Sequence, residues 1–431
     1  VVAVFPQELW HSVTTRLVWL LKWSVLGSLV GGLVGLAVAG FLWSLDWVTR
    51  LFWQYPGLFY VLPGFGWLGA QLYERLGRQA AAGTNLIIDQ IHEPGGGVPL
   101  RMAPLVWLGT LLTHLGGGSA GREGTAVQMG GGIAGGLARF LGLSGPDLSR
   151  MLMSGVAAGF GAVFGTPLAG TIFAMEVLTQ GQIRLAATVP CLIAAAVGDQ
   201  VVHLAGIAHT HYAIGEWGDT SVLDGWLLAK VCLASVLFGL TSLLFVRLTH
   251  GVQRVLERTV PPPGLRPIIA AVALWGLVLV VGSRDYLGLG VNPNPANPHG
   301  VTLQSCFHQG GATSWSWFWK LVFTAVTVGG GLRGGEVTPL FFIGAAVGNA
   351  TARAVHAPVG LLAALGFLAV FAGGAKTPLA CTLMAVELFV LGQERPPQST
   401  FIFLAALACQ ISSSVSGTRT IYERQRRIDD C

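Results

Sequence analysis

Charge is what this sequence has least of: only 10% of its 431 residues are Asp, Glu, Lys or Arg, where a soluble domain carries about 25%. That scarcity argues against a domain that meets water on all sides. Cysteine chemistry is thin as well. No two of the six cysteines stand at C-x-x-C spacing, so neither a zinc cluster nor a dithiol redox pair is expected, and no metal or cofactor is assigned. Cys191, Cys232, Cys381 and Cys409 lie inside apolar runs and read as packing residues. Clustered basic charge is missing too, apart from Arg424, Arg426 and Arg427; the net charge of +5 therefore reads as membrane-flanking charge, not a nucleic-acid surface. No small-residue cleavage pattern follows the first apolar run, which is read as a mature span instead of a signal peptide.

What the chain has in quantity is apolar surface, with 52% hydrophobic residues and a mean hydropathy of +0.64. From Leu17 to Leu45 only Lys22 interrupts a run long enough to cross the roughly 30 Å hydrocarbon core of a bilayer. Charge-free stretches recur at 102–121, 231–246, 267–283, 357–375 and 399–418. Several are short or broken by glycine, so hydropathy alone does not count the spans. The expected class is an all-α, multi-pass membrane protein.

An internal repeat organises the chain. TPLAGTIFAME at 166–176 matches TPLACTLMAVE at 377–387, with seven identities in eleven positions at an offset of 211. GSAGREGT at 118–125 matches GLRGGEVT at 331–338 at an offset of 213, aligning Glu123 with Glu336 and Thr125 with Thr338. The halves run to about residue 215 and from about 220, with 206–220 and 258–267 as polar connections. They are read as one membrane domain, 1–431, with no regulatory domain after Ile421. Duplicated membrane halves are commonly inverted, and their substrate site lies near the midplane where interrupted helices meet.

The glycine-rich segments GGGSAGREG and GGGLRGGEVTP precede helix-like stretches at 125–140 and 340–355. A helix start leaves N–H groups unpaired and carries about half a positive charge, so it attracts anions without a full cation. That binding is weak enough to release the ion. Pro339, Pro167 and Pro378 suit first-turn positions, with Thr166 and Thr377 expected as caps. Glu123 lies at such a start, and an ionisable group inside a membrane segment points to function; an ion pair with Arg122 or simple capping is the alternative. An ionised carboxylate there competes with the anion for its donors, and a protonated one withdraws. Glu336 holds the equivalent place. Glu176 and Glu387 end the duplicated TPLA helices, and their symmetry points to a shared packing or capping task.

GREGT at 121–125 resembles the GREGP motif of the CLC family of chloride channels and proton-coupled anion antiporters, GGEVTP at 334–339 resembles its GGxFxP motif, and GTPLAGTIFAMEV resembles the segment after the gate. The resemblance implies two inverted repeats with broken helices and a homodimer with one pore per subunit in the cell (inner) membrane. It makes Glu123 the gating, proton-carrying glutamate, with Glu336 a second titratable group. The anion site it implies draws on Gly121, Arg122, Gly124, Thr125, Gly335, Val337 and Thr338. Tyr422 stands where the family's anion-coordinating tyrosine does, with an interfacial anchor as the other reading. Thr84 and Asn85, in AGTNLIID, loosely echo the family's first motif, GSGIP. Threonine after GREG and the GEVTP variant resemble the fluoride-exporting branch, although many of its members carry methionine at the place of Thr84. The proton-relay glutamate of the chloride antiporters falls on Val177. The expected activity is fluoride/proton antiport. A chloride/proton antiporter or passive chloride channel is the alternative within the family. A membrane serine peptidase built on Gly117-Gly118-Ser119-Ala120-Gly121 is a remote one, and a purely structural or receptor-like membrane protein leaves the paired acidic helix starts without a reason.

Overall fold

The computed structural model describes residues 7–93, 95, 97–177, 185–210, 212, 214, 224–291, 295, 297–391 and 399–422, with side chains from Thr14 onward. Among them are fifteen α-helices and no strand. The first eight are α1 (Gln7–Gln54), α2 (Leu62–Leu76), α3 (Thr84–His92), α4 (Met102–Leu115), α5 (Glu123–Phe140), α6 (Gly145–Phe164), α7 (Pro167–Val177) and α8 (Thr188–Leu204). The rest are α9 (Gly225–Thr259), α10 (Arg266–Val281), α11 (Ser316–Gly329), α12 (Val337–Val355), α13 (Val359–Ala375), α14 (Pro378–Phe389) and α15 (Ser399–Val415). The basic cluster at 424–427 and part of the 206–220 connection lie outside the described residues.

Four helical stretches are long and apolar enough to cross a bilayer: Thr14–Gln54, Leu185–Leu204, Gly225–Thr259 and Pro263–Val281. Other apolar helices, α4, α7, α13, α14 and α15 among them, fall short of that length. Short helices put their ends at membrane depth, where water cannot satisfy them. The fold must therefore supply partners for those ends from within.

The most telling example is the pair α7 and α14. Glu387, near the end of α14, accepts hydrogen bonds from the backbone N–H groups of Leu168 and Ala169, both at 2.8 Å. Glu176, near the end of α7, accepts from Leu379 at 3.0 Å and Ala380 at 2.8 Å. All three residues of each set are related by the offset of 211. A carboxylate at the end of each helix reaches the start of the other only when the two run antiparallel, so the repeat is inverted.

Thr166 and Thr377, expected as the caps, do not cap. Thr377 makes no side-chain cap bond and lies 3.8 Å from Cys381 Sγ, while Thr166 Oγ1 has no partner among the described residues. Carboxylates from the other half take the N–H groups first, and a charged acceptor outcompetes a hydroxyl.

Duplicated glycine contacts bring the other helix pairs together. A Cβ on Gly130 of α5 would lie 2.0 Å from Gly155 O of α6, and one on Gly344 of α12 would lie 2.1 Å from Gly366 O of α13. In a bilayer, close backbone packing of this kind replaces the hydrophobic drive available in water. Phe160 of α6 and Phe371 of α13, again 211 apart, stack across the halves with centroids 6.4 Å apart. α5 begins at Glu123 and α12 at Val337, two and three residues ahead of the expected stretches.

Each cap carboxylate accepts two N–H bonds, and bonds to charged groups contribute about 1.5–3 kcal/mol apiece. Glu176→Ala is expected to lower the thermal unfolding temperature in detergent, followed by tryptophan fluorescence. Glu387→Ala should do so by less, because Glu176 is buried and Glu387 only half-buried. Glu176→Gln, which keeps one acceptor, should fall between wild type and Glu176→Ala. Unchanged unfolding in both alanine variants would rule out the reciprocal caps.

Candidate anion site

The loops before α5 and α12 meet back to back. Gly121 N–H donates to Gly335 O at 2.5 Å and Gly335 N–H donates to Gly121 O at 2.8 Å, an isolated antiparallel bridge between the halves. Only glycine permits the approach: a Cβ on Gly335 would lie 2.7 Å from the backbone nitrogen of Gly124. The bridge leaves two helix starts aimed at the same place. The first intrahelical bond at α5 runs from Ala126 N–H to Arg122 O, 3.2 Å, and at α12 from Leu340 N–H to Glu336 O, 3.0 Å. The preceding N–H groups, including those of Gly124, Thr125, Val337 and Thr338, stand ahead of the helical ladder.

Glu123 occupies that place. Its side chain is 1% exposed, and its carboxylate crosses from α5 to the start of α12. Oε2 accepts from Thr338 N–H at 3.0 Å and from Arg122 N–H at 3.1 Å, and Oε1 accepts from Thr338 Oγ1 at 2.5 Å. Arg122 Nε is 3.5 Å from Oε1, farther than the Thr338 donors, while Arg122 Nη2 donates to Thr210 Oγ1 at 3.2 Å. An ion pair with Arg122 is therefore present but secondary. The carboxylate takes hydrogen bonds from groups that would hold an anion.

Glu336 is the N-cap residue of α12 and turns towards α5, where a Cβ on Gly124 would lie 3.3 Å from its Oε2. Each glutamate thus leans on the other half's helix start. Thr125 differs from its counterpart Thr338: its hydroxyl pairs with Thr110 Oγ1 of α4 at 2.7 Å and faces away from Glu123. Only its backbone remains a candidate donor, because the α4 hydroxyl is the nearer buried partner. Val337 is buried beside Thr338.

Tyr422 is 5% exposed and its ring lies edge-on to Phe173 at 6.5 Å. That burial is at odds with an interfacial anchor. Thr84 is buried and Asn85 half-buried at the start of α3, behind Gly83 at φ +60°. A Cβ on Gly83 would touch the Gln128 side chain, so this start lies alongside α5 beyond Glu123, with no hydrogen bond to it in the structure. Ser119 is fully buried and its Oγ pairs with Thr324 Oγ1 at 3.0 Å, so the G-x-S-x-G pattern is loop packing, not a nucleophile. Sequence reasoning missed the ring cluster of Phe160, Phe173 and Phe371, which meets Tyr422 through Phe173; the offset of 211 between Phe160 and Phe371 was its available signal.

Residues 65–417 match the family described as voltage gated chloride channel. The chain belongs to the CLC family. It is 45% identical over 414 residues to a chloride/fluoride channel protein of Pseudomonas syringae pv. tomato, covering 95% of this chain and 87% of that protein. Among solved structures it resembles a CLC-type fluoride/proton antiporter, with a TM-score of 0.85 and 31% identity over 94% of this chain and 98% of that one. A slow cyanobacterial Cl−/H+ antiporter, 19% identical with a TM-score of 0.76 over 93% and 96% of the two chains, shares the fold. A CLC-family chain with these apolar helices is membrane-embedded.

Gly335→Ala should push the two helix starts apart and reduce anion flux in proteoliposomes by on the order of tenfold, the equivalent of about 1.4 kcal/mol. Wild-type flux from a folded Gly335→Ala protein would contradict the close approach at the bridge.

Proposed function

We propose that this chain exports fluoride across a bacterial inner membrane in exchange for protons, with Glu123 as the gate and the proton carrier. Anion transport is the work of the family. The observation that carries the finer reading is that the Glu123 carboxylate rests on the N–H and O–H of Thr338 and the N–H of Arg122, donors suited to a small anion. Ionised, it blocks the site; protonated, it loses its hold on these donors and frees them for the ion. Each cycle of gate movement then links anion passage to a proton.

Fluoride suits such donors because it is small and accepts hydrogen bonds strongly, so the Thr338 hydroxyl and a protonated carboxyl can replace its water. The names of the Pseudomonas protein and the fluoride/proton antiporter structure agree with it. Val177, buried and apolar where chloride antiporters carry a relay glutamate, weighs against chloride/proton exchange by that route. The functional unit is proposed to be a homodimer, with Glu336, Val337, Gly335, Gly121 and Gly124 lining the site and Tyr422 and Thr84 on the pathway that leads to it.

The test is fluoride and chloride efflux from proteoliposomes with external pH recorded at the same time. Fluoride efflux with opposing proton movement is expected, and chloride efflux of equal size would move the assignment to chloride. Because a proton is exchanged for each ion, wild-type fluoride flux should rise as the pH is lowered. Glu123→Gln cannot ionise, so it should abolish proton movement and flatten that pH dependence. Proton coupling that survives in Glu123→Gln would remove Glu123 as the carrier.

A further inference from the structure

Lys376 is in an unusual conformation for its residue type. It ends α13 in the left-handed region at φ +61°, one of two non-glycine residues with positive φ among those described. Its repeat counterpart, 211 residues earlier, is Gly165 at φ +74°, the residue expected there. A Cβ on Gly165 would lie 2.7 Å from the His209 ring, so the first half has no room for a side chain at this corner. The second half has room, and places a lysine there despite the backbone cost.

The ammonium group has a specific use. Nζ donates to the carbonyl oxygen of Ser413 and, at 2.6 Å, to Ser416 Oγ, both at the end of α15. Ser416 Oγ in turn donates to Gly373 O of α13 at 2.8 Å. From Ser416 the chain runs through exposed Arg419 to Ile421, whose N–H donates to Gly374 O at 3.0 Å, and then to Tyr422. The strap that delivers Tyr422 is therefore fastened at both ends to the corner formed by residues 373–376. A cation among the last carbonyls of α15 also matches the partial negative charge of a helix end.

We propose that Lys376 is a positioning residue for the anion pathway: its ammonium latches the end of α15 to the end of α13 and so fixes the strap that holds Tyr422. The inference rests on the reading that Tyr422 lines the pathway. The repeat supplies a sharp test, because Lys376→Gly removes the latch while relieving the backbone. In Lys376→Gly, trypsin should cut after Arg419 several-fold faster than in wild type, read by mass spectrometry on the detergent-solubilised full chain. The unfolding temperature should change little, and Lys376→Arg should restore the slow cutting. Anion flux should fall several-fold in Lys376→Gly, and the same change made on a Tyr422→Ala background should add no further loss. Equal cutting in wild type and Lys376→Gly overturns the latch, and an equal flux loss on both backgrounds overturns its action through Tyr422. Should Lys376→Gly fail to fold, Lys376→Met under the same two assays decides in its place. The cutting assay needs no transport, so a wild-type protein that moved neither anion would overturn the anion reading and leave the latch to be judged on its own.

Discussion

Unpaired N–H groups at helix starts inside a bilayer govern this molecule. Water cannot reach them, and each one left without a partner costs free energy. The chain answers with a carboxylate from the opposite half, and uses the answer more than once. At α7 and α14 the answer is permanent: Glu387 and Glu176 each hold two N–H groups of the other helix. At α5 and α12 Glu123 does the same for the N–H of Thr338, and also takes the N–H of its own neighbour Arg122. On the function proposed above, this is the cap that an anion exchanges with.

Magnitude separates the two uses. Hydrogen bonds to a charged group contribute about 1.5–3 kcal/mol each. A carboxylate with three donors is held firmly, yet an incoming anion that takes the same donors recovers most of that energy. On the proposed function the exchange is then near balance, which a full cation at the site would upset. The Arg122 guanidinium stays 3.5 Å from the Glu123 carboxylate and engages Thr210, so it does not dominate the site. Backbone and hydroxyl dipoles hold the carboxylate instead.

Much of this was legible in the sequence because duplication turns pattern into geometry. Two offsets, 211 and 213, related the four glutamates that reach a helix start of the opposite half, and glycine runs marked where backbones approach. The symmetric role of Glu176 and Glu387 followed from the same pattern, since a residue repeated in both halves serves whatever both halves need. What pattern could not supply was contact across the inverted axis. Thr166 and Thr377 read as caps because capping is local in most proteins, and here the acceptor comes from about 200 residues away. Thr84 and Asn85 show the converse limit. A helix start can be read from a motif, but its distance from Glu123 depends on how α3 packs against α5.

The repeat is also informative where it fails. Glu123 is the first residue of α5, whereas Glu336 is the N-cap of α12, so only one of the two side chains spans the gap with hydrogen bonds. Thr338 offers its hydroxyl to Glu123, while Thr125 gives its own to Thr110. One half supplies the carboxylate that crosses the gap, and the other supplies the donors that hold it. A fully symmetric site would pit two equivalent carboxylates against each other across one bridge, with nothing to distinguish gate from receiver. A shift of one residue in where the helix starts breaks that tie, and it leaves the duplicated frame with one crossing carboxylate.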